Sequence, residues 1–217
     1  MTAVDLSHII VPNMPVYPGT EPPLFTAACS IEEEGFVEKK ITIYSHTGTH
    51  IDAPAHIIAG AKTLDQLPID HFIGPAALLD LTSISKQTID VPDVGPYRGL
   101  LKDIAFVLLR TGWSERWGTE SYYTGYPVLS REAASWLGGF KLKGVGIDAI
   151  SFDEPDSKDF PIHKILLAGS MILIENLTNL RMLPEDKFTL CCFPLKIDHA
   201  DGSPVRAIAL LPSDRSY

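Results

Sequence analysis

Ile104-Ala105-Phe106-Val107-Leu108-Leu109, closed by Arg110, is apolar at every position. A strand with one wet face alternates polar and apolar residues. A run with no polar member suits a strand covered on both faces, as in a sheet with helices packed against it. Working outward, Ala76 to Leu81, Gly144 to Ile150 and Met171 to Glu175 are short runs of the same kind, and Thr189 to Leu195 and Val205 to Leu210 are further candidate strands. Val37 to Tyr44 alternates only in part and is β-branched toward its end. Helical signals are fewer. Ser130 can cap Arg131 to Leu137, with Gly138-Gly139 as the stop, and Ile162 to Ala168 ends at Gly169. Asp65 to His71 predicts a turn or two of helix. Many strands with a few helices between them predict an α/β fold, and the length suits one domain over residues 1–217. Strand order does not follow from these patterns.

The composition excludes several classes. Hydrophobic residues make up 45% of the chain, enough for a core. Seventeen prolines and sixteen glycines are spread between short apolar runs, with no repeat, low-complexity tract or linker. The formal charge of −9 argues against sequence-independent nucleic-acid binding and against docking on anionic membranes. No basic-then-apolar leader opens the chain, and no apolar run approaches the roughly 20 residues of a membrane span, so a cytoplasmic protein is expected. Cys29, Cys191 and Cys192 do not make a disulfide framework and read as reduced thiols.

The chemistry concentrates in His46-Thr47-Gly48-Thr49-His50-Ile51-Asp52-Ala53-Pro54-Ala55-His56. Gly48, Pro54 and the β-branched Thr47, Thr49 and Ile51 disfavour a helix. Where such a segment is extended, even-numbered side chains share a face, and His50 with Asp52 is the surest pair. Crowded imidazoles and a carboxylate need a partner, and a divalent cation supplies one: zinc, manganese or iron. Any of His46, His50, Asp52 and His56 could be a ligand. Two histidines and one carboxylate leave positions open, as a catalytic site requires. A second cation would need ligands from elsewhere. His163 and Glu175 are the best supply, although taken alone they read rather as an exposed helix residue and an ordinary strand-end charge. His8, His71 and His199 read as surface or supporting residues, and Trp113, Trp117 and Trp136 as packing. Glu32-Glu33-Glu34 reads as a solvated face, and Ser45 and Ser170 as turn hydroxyls. Asp148 and Asp153 flank a turn and could line a site.

HTGTHIDAPAH resembles the signature of the cyclase-like metal-dependent hydrolases, a family that includes bacterial kynurenine formamidase (arylformamidase) and isatin hydrolase. The likeness runs through DLSHIIVPNMPVYPGT, LLRTGW (108–113), GVGIDAISFD (144–153) and HKILLAGSMILIENLTNL (163–180), in the family's order. It implies a swivelling β/β/α fold and a homodimer with the site near the subunit interface. It also implies two ions, zinc or alternatively manganese: His46, His50 and Asp52 on the first, with Asp52 bridging to a second completed by His163 and Glu175. His56 becomes the general acid/base. Tyr17 takes the place of an aromatic residue, commonly Trp in the formamidases, that packs on the substrate ring. The implied reaction is hydrolysis of a small aromatic amide. Activated water attacks the carbonyl and His56 passes a proton to the departing nitrogen. N-formylkynurenine, an intermediate of tryptophan catabolism, is the expected substrate. A cyclic amide such as isatin, or a lactone, is the alternative. A non-catalytic metal-binding homologue is the rival of another class, and the intact His56 argues against it.

Overall fold

The computed structural model describes residues 1–212. The strands among these residues are, in chain order, β1 (Thr2–Asp5), β2 (Leu24–Cys29), β3 (Glu38–Thr42), β4 (His50–Asp52), β5 (Ile73–Asp80), β6 (Thr88–Ile89), β7 (Phe106–Arg110), β8 (Val128–Leu129), β9 (Gly144–Ile147), β10 (Ile172–Glu175), β11 (Phe188–Cys191), β12 (Gly202–Pro204) and β13 (Ile208–Leu211). The helices are α1 (Ile31–Glu34), α2 (Val91–Val94), α3 (Arg131–Gly138) and α4 (Pro161–Leu167), with short 3-10 turns between elements. Nine strands form one mixed sheet in the order β1-β13-β11-β5-β7-β9-β10-β4-β12. The uninterrupted apolar run lies in its middle strand, β7, parallel to both β5 and β9.

Strand alternation sorts the core into two layers. Ala77, Leu79, Val107, Leu109, Val145, Ile147 and Leu173 face α3 and α4, which contribute Ala133, Ala134, Leu137, Ile162 and Leu166. The intervening Ala76, Leu78, Phe106, Leu108, Ile172 and Ile174 point to the other face. There they meet Ile51 from one end of the sheet and Val4, Leu190, Ala209 and Leu211 from the other. The sheet therefore curls around this second cluster. The curl is fastened where Leu6 N–H donates to Ala207 O at 2.9 Å and Thr178 N–H donates to Leu6 O at 3.0 Å. The result is mixed α/β: a curled sheet with helices on its outer face.

Glycine sets how tightly the sheet can pack. A methyl group added at Gly144 would lie 2.8 Å from both the Ile172 carbonyl oxygen and its Cγ1. A backbone oxygen in a buried ladder has no room to yield, so Gly144→Ala should cost about 1–3 kcal/mol. Urea unfolding midpoints of variant and parent check this; equal midpoints would mean the strands can spread.

Several boundaries differ from expectation. β11 ends at Cys191 rather than Leu195, and beyond an exposed Phe193 the chain makes only an isolated bridge between Pro194 and Val205. Asp65 to His71 becomes two separate 3-10 turns, Leu64–Gln66 and Ile69–Phe72, divided at Pro68. The strand expected at Val37 to Tyr44 forms as β3, but outside the main sheet. It pairs only with β2 in an exposed hairpin. Ser130 does cap α3, accepting the Ala133 N–H at 3.1 Å.

Candidate metal centre

The centre lies on the outer face of the sheet, where β4 runs antiparallel to β10. His50 stands directly opposite Glu175, and Asp52 opposite Leu173. Ile51, of opposite parity, is buried in the inner core, so His50 and Asp52 are turned outward together. His46 and His56 do not arrive by simple alternation. Gly48, at φ +66°, turns the chain before β4, and Pro54 starts a 3-10 turn that carries His56. His163 comes from a different layer, the first turn of α4, and is buried.

These elements bring five of the expected residues into one cluster. His46 Nδ1 lies 2.7 Å from Asp52 Oδ1, and His50 Nε2 lies 3.2 Å from the same oxygen. His163 Nε2 is 3.6 Å from Asp52 Oδ2 and 3.2 Å from Glu175 Oε1. His50 Nε2 is 3.4 Å from Glu175 Oε2. The two oxygens of Asp52 thus face different histidine groups. His56 lies beside them, its ring 4.0 Å from that of His46 and 6.2 Å from that of His163. A cavity of about 210 Å³ opens over the cluster, and Tyr17 lines it together with Val16, Ile150 and Phe160.

The donor set fits a divalent cation. Asp52 is 1% exposed, yet its Oδ2 has no hydrogen-bond partner among the described residues. An orphaned carboxylate oxygen at such depth is costly unless something positive meets it. The ligand atoms of His50, Asp52 and Glu175 all lie within 4.8 Å of one another, as do those of His46, Asp52 and His56. Imidazole nitrogen and carboxylate oxygen without thiolate suit zinc or manganese.

Without a cation, protons take its place. Burial disfavours the charged form of His50, but Asp52 and Glu175 override it and raise its pKa to about 10. Burial likewise opposes protonation of His163, and Asp153, Asp52 and Glu175 carry its pKa well above the usual value. A histidine whose folded pKa is raised stabilises the fold below its unfolded pKa, and this contribution is lost as pH rises through the folded value. Chelator-stripped protein should therefore lose stability between about pH 6.5 and 10, while zinc-loaded protein, whose cation replaces those protons, should not. Urea midpoints of both forms across that window are the check; parallel curves would contradict it.

Three contributors escaped the sequence, and Asp153, read there only as able to line a site, joins them. Asp153 accepts His163 Nδ1–H at 2.7 Å and the backbone N–H groups of Ile162 and His163, fixing both ring and helix start. Asn176, held at φ +56°, donates from Nδ2 to Gly48 O at 2.9 Å. Asp201 Oδ2 sits 3.0 Å from His46 Nε2. Gly202 is the fourth: a methyl there would fall 2.5 Å from His46 Cε1 and 2.8 Å from Nε2. Asp153 lay on a quoted motif but had no local feature tying it to His163, and Asp201-Gly202 carries only a turn signal. Because Asp52 and Asp201 hold the His46 ring on both sides, Gly202→Ala should displace it and weaken zinc about 10–100-fold. Competition against a chromophoric chelator measures this, and unchanged competition would show that the ring moves freely. Of the remaining histidines, His8 stacks on Trp117 at 3.8 Å, outside the cluster.

Comparison with known proteins adds the following. Residues 4–154 match a family described as putative cyclase. Over 206 residues the chain is 32% identical to the kynurenine formamidase of Bacillus cytotoxicus, covering 94% of this chain and 95% of that one. Isatin hydrolase A from Labrenzia aggregata superposes with a TM-score of 0.87 at 25% identity, covering 96% of this chain and 93% of the other. A structure described as a predicted metal-dependent hydrolase from Bacillus stearothermophilus superposes at 0.80 with 30% identity, covering 96% and 97%.

Proposed function

The chain belongs to the putative cyclase family, and on that premise we propose that it is a metal-dependent amidohydrolase, an arylformamidase that hydrolyses N-formylkynurenine to kynurenine and formate. The observation that carries this is Asp52: a buried carboxylate whose two oxygens face separate histidine groups beneath an aromatic-lined cavity. His46, His50 and Asp52 would hold one divalent cation and Asp52, His163 and Glu175 a second, zinc or manganese. Such a cation supplies positive charge for the amide carbonyl oxygen and makes a water acidic enough to ionise near neutral pH.

The chain's own residues supply the rest. Burial lowers the pKa of His56 despite the nearby Asp52. Its imidazole is therefore neutral at pH 7 and can take a proton from water at Nε2, the nitrogen not facing Asp201. The same nitrogen then returns the proton to the departing aniline nitrogen. Tyr17, with Val16, Ile150 and Phe160, offers an apolar wall for the aryl ring and keeps bulk water from the reacting carbonyl.

The same chemistry on a cyclic amide or lactone is the second reading, favoured by the close superposition with isatin hydrolase A. Tyr17, in place of a larger ring, changes the cavity wall and not the centre. One hydrolase domain over 1–217 is supported by the nine-stranded sheet, which carries both core layers of the described residues. A homodimer is supported by the β2–β3 hairpin, which exposes Leu24, Phe36, Val37 and Ile41 to solvent. The three free thiols suit a reducing cytoplasm, and among the described residues no helix is long and apolar enough to cross a membrane. The net charge of −9 disfavours nucleic acid as a partner.

The test is hydrolysis of N-formylkynurenine by purified protein, stripped with chelator and refilled separately with zinc and manganese, with isatin in parallel. Metal-restored release of formate supports the reading. Bound metal with turnover of isatin alone would replace the substrate, and bound metal with neither would overturn the enzyme.

A further inference from the structure

The three buried or half-buried histidines of the centre each use one ring nitrogen inward and one outward. His50 turns Nε2 inward and donates Nδ1–H to Gly48 O at 2.8 Å. That carbonyl is itself fixed by Asn176 Nδ2, and Asn176 Oδ1 accepts Tyr122 O–H at 2.7 Å. His163 turns Nε2 inward and donates Nδ1–H to Asp153 at 2.7 Å. His46 is reversed. Its Nδ1 meets Asp52 at 2.7 Å, and its Nε2 meets Asp201 Oδ2 at 3.0 Å. Asp201 is also the only one of the three outer acceptors that stands at the rim, with half its side chain exposed. The same oxygen lies 3.6 Å from His56 Nδ1. His46 and His56 are tilted rings 4.0 Å apart.

We propose that Asp201 is a positioning residue for both imidazoles: it takes the Nε2–H of His46, so that the Nδ1 lone pair faces the centre, and it aligns His56 Nδ1–H, so that Nε2 faces the cavity. The physical reason is that a neutral imidazole has one donor and one acceptor nitrogen. The outer hydrogen bond therefore decides which nitrogen is free to bind a cation or take a proton. Gly202 belongs to the same device. It stands opposite Asp52 on β12, and its missing side chain leaves the volume that the His46 ring fills. Asp201 does not touch the reacting atoms. It acts through the two rings, which are 155 and 145 positions away in the chain. The inference rests on the centre proposed above.

The test uses full-length protein loaded with zinc, in the parent and in the Asp201→Ala and Asp201→Asn variants. Long-range ¹H–¹⁵N spectra of histidine-labelled protein report the tautomer directly. The parent should show His46 as Nε2–H, and Asp201→Ala should lose that signature. Zinc should be released at about 10–100-fold lower chelator concentration in Asp201→Ala, with Asp201→Asn in between because the amide oxygen still accepts one N–H. On N-formylkynurenine, kcat should fall while KM holds, the mark of a group that acts on the reacting step rather than on binding. A His46 spectrum and zinc release unchanged in both variants would overturn the proposal while leaving the centre intact. A parent that takes up no metal would overturn the centre and this inference together. Metal uptake without amide turnover would remove the substrate reading alone, since the spectra and chelator competition still judge Asp201.

Discussion

Asp52→Asn should lose bound metal and at least about a thousandfold in kcat/KM, the largest effect of any single change in this chain. The substitution keeps the shape and removes the charge. In the parent, Asp52 is almost fully buried and is the carboxylate that meets His46, His50 and His163 together. Burial works against its ionisation, but His46 and His50 outweigh that and hold its pKa well below the usual carboxylate range. An amide offers one oxygen and no charge, so neither of the two proposed cations would keep a shared ligand. Its nitrogen would also present donors toward imidazoles that already need an acceptor. Metal content per chain after gel filtration, together with turnover, is the measurement. Stoichiometric metal with parental turnover in Asp52→Asn would remove the bridging role.

His56→Ala separates chemistry from binding. Its effect should be a loss of about 10²–10⁴-fold in kcat/KM with metal content preserved, the range of a positioned general acid/base. The sign of the accompanying pH effect follows from burial. The pKa of His56 is lowered, so the neutral, proton-accepting form persists from neutral pH to below the ordinary histidine value of 6.5. Activity of metal-saturated parent should hold from pH 8 to about 6.5 and fall only below that. The variant should lack this limb. Parental turnover in His56→Ala would end the acid/base assignment, and loss of metal along with activity would make His56 a ligand instead.

Much of the site was legible because it is local. His46 to His56 carries four of its members within eleven residues, and the period-two argument singled out His50 and Asp52 as the pair that shares a face, as β4 places them. His163 and Glu175 could be tied to that motif only through the family resemblance, since nothing in α4 or β10 alone names a partner. The apolar run at 104–109 announced a strand covered on both faces, and it lies at the middle of the sheet. Its counterpart at Val37 to Tyr44 was legible as a strand and no further. β-branched residues predicted a strand, and one forms, but every residue of β3 is exposed, because propensity says nothing about which sheet a strand joins.

What the sequence determined by itself was therefore of short range: an α/β alternation, the helix cap at Ser130, the turn at Gly48, and a metal-type donor set whose chemistry follows from residue identity. Strand order, the curl, and the partners of each imidazole were decided only by the tertiary structure. Asn176 holds Gly48 across 128 positions, and Asp201 reaches His46 across 155. Such contacts leave no period in the chain, because they depend on how the layers close over the core rather than on the spacing of neighbours along the backbone.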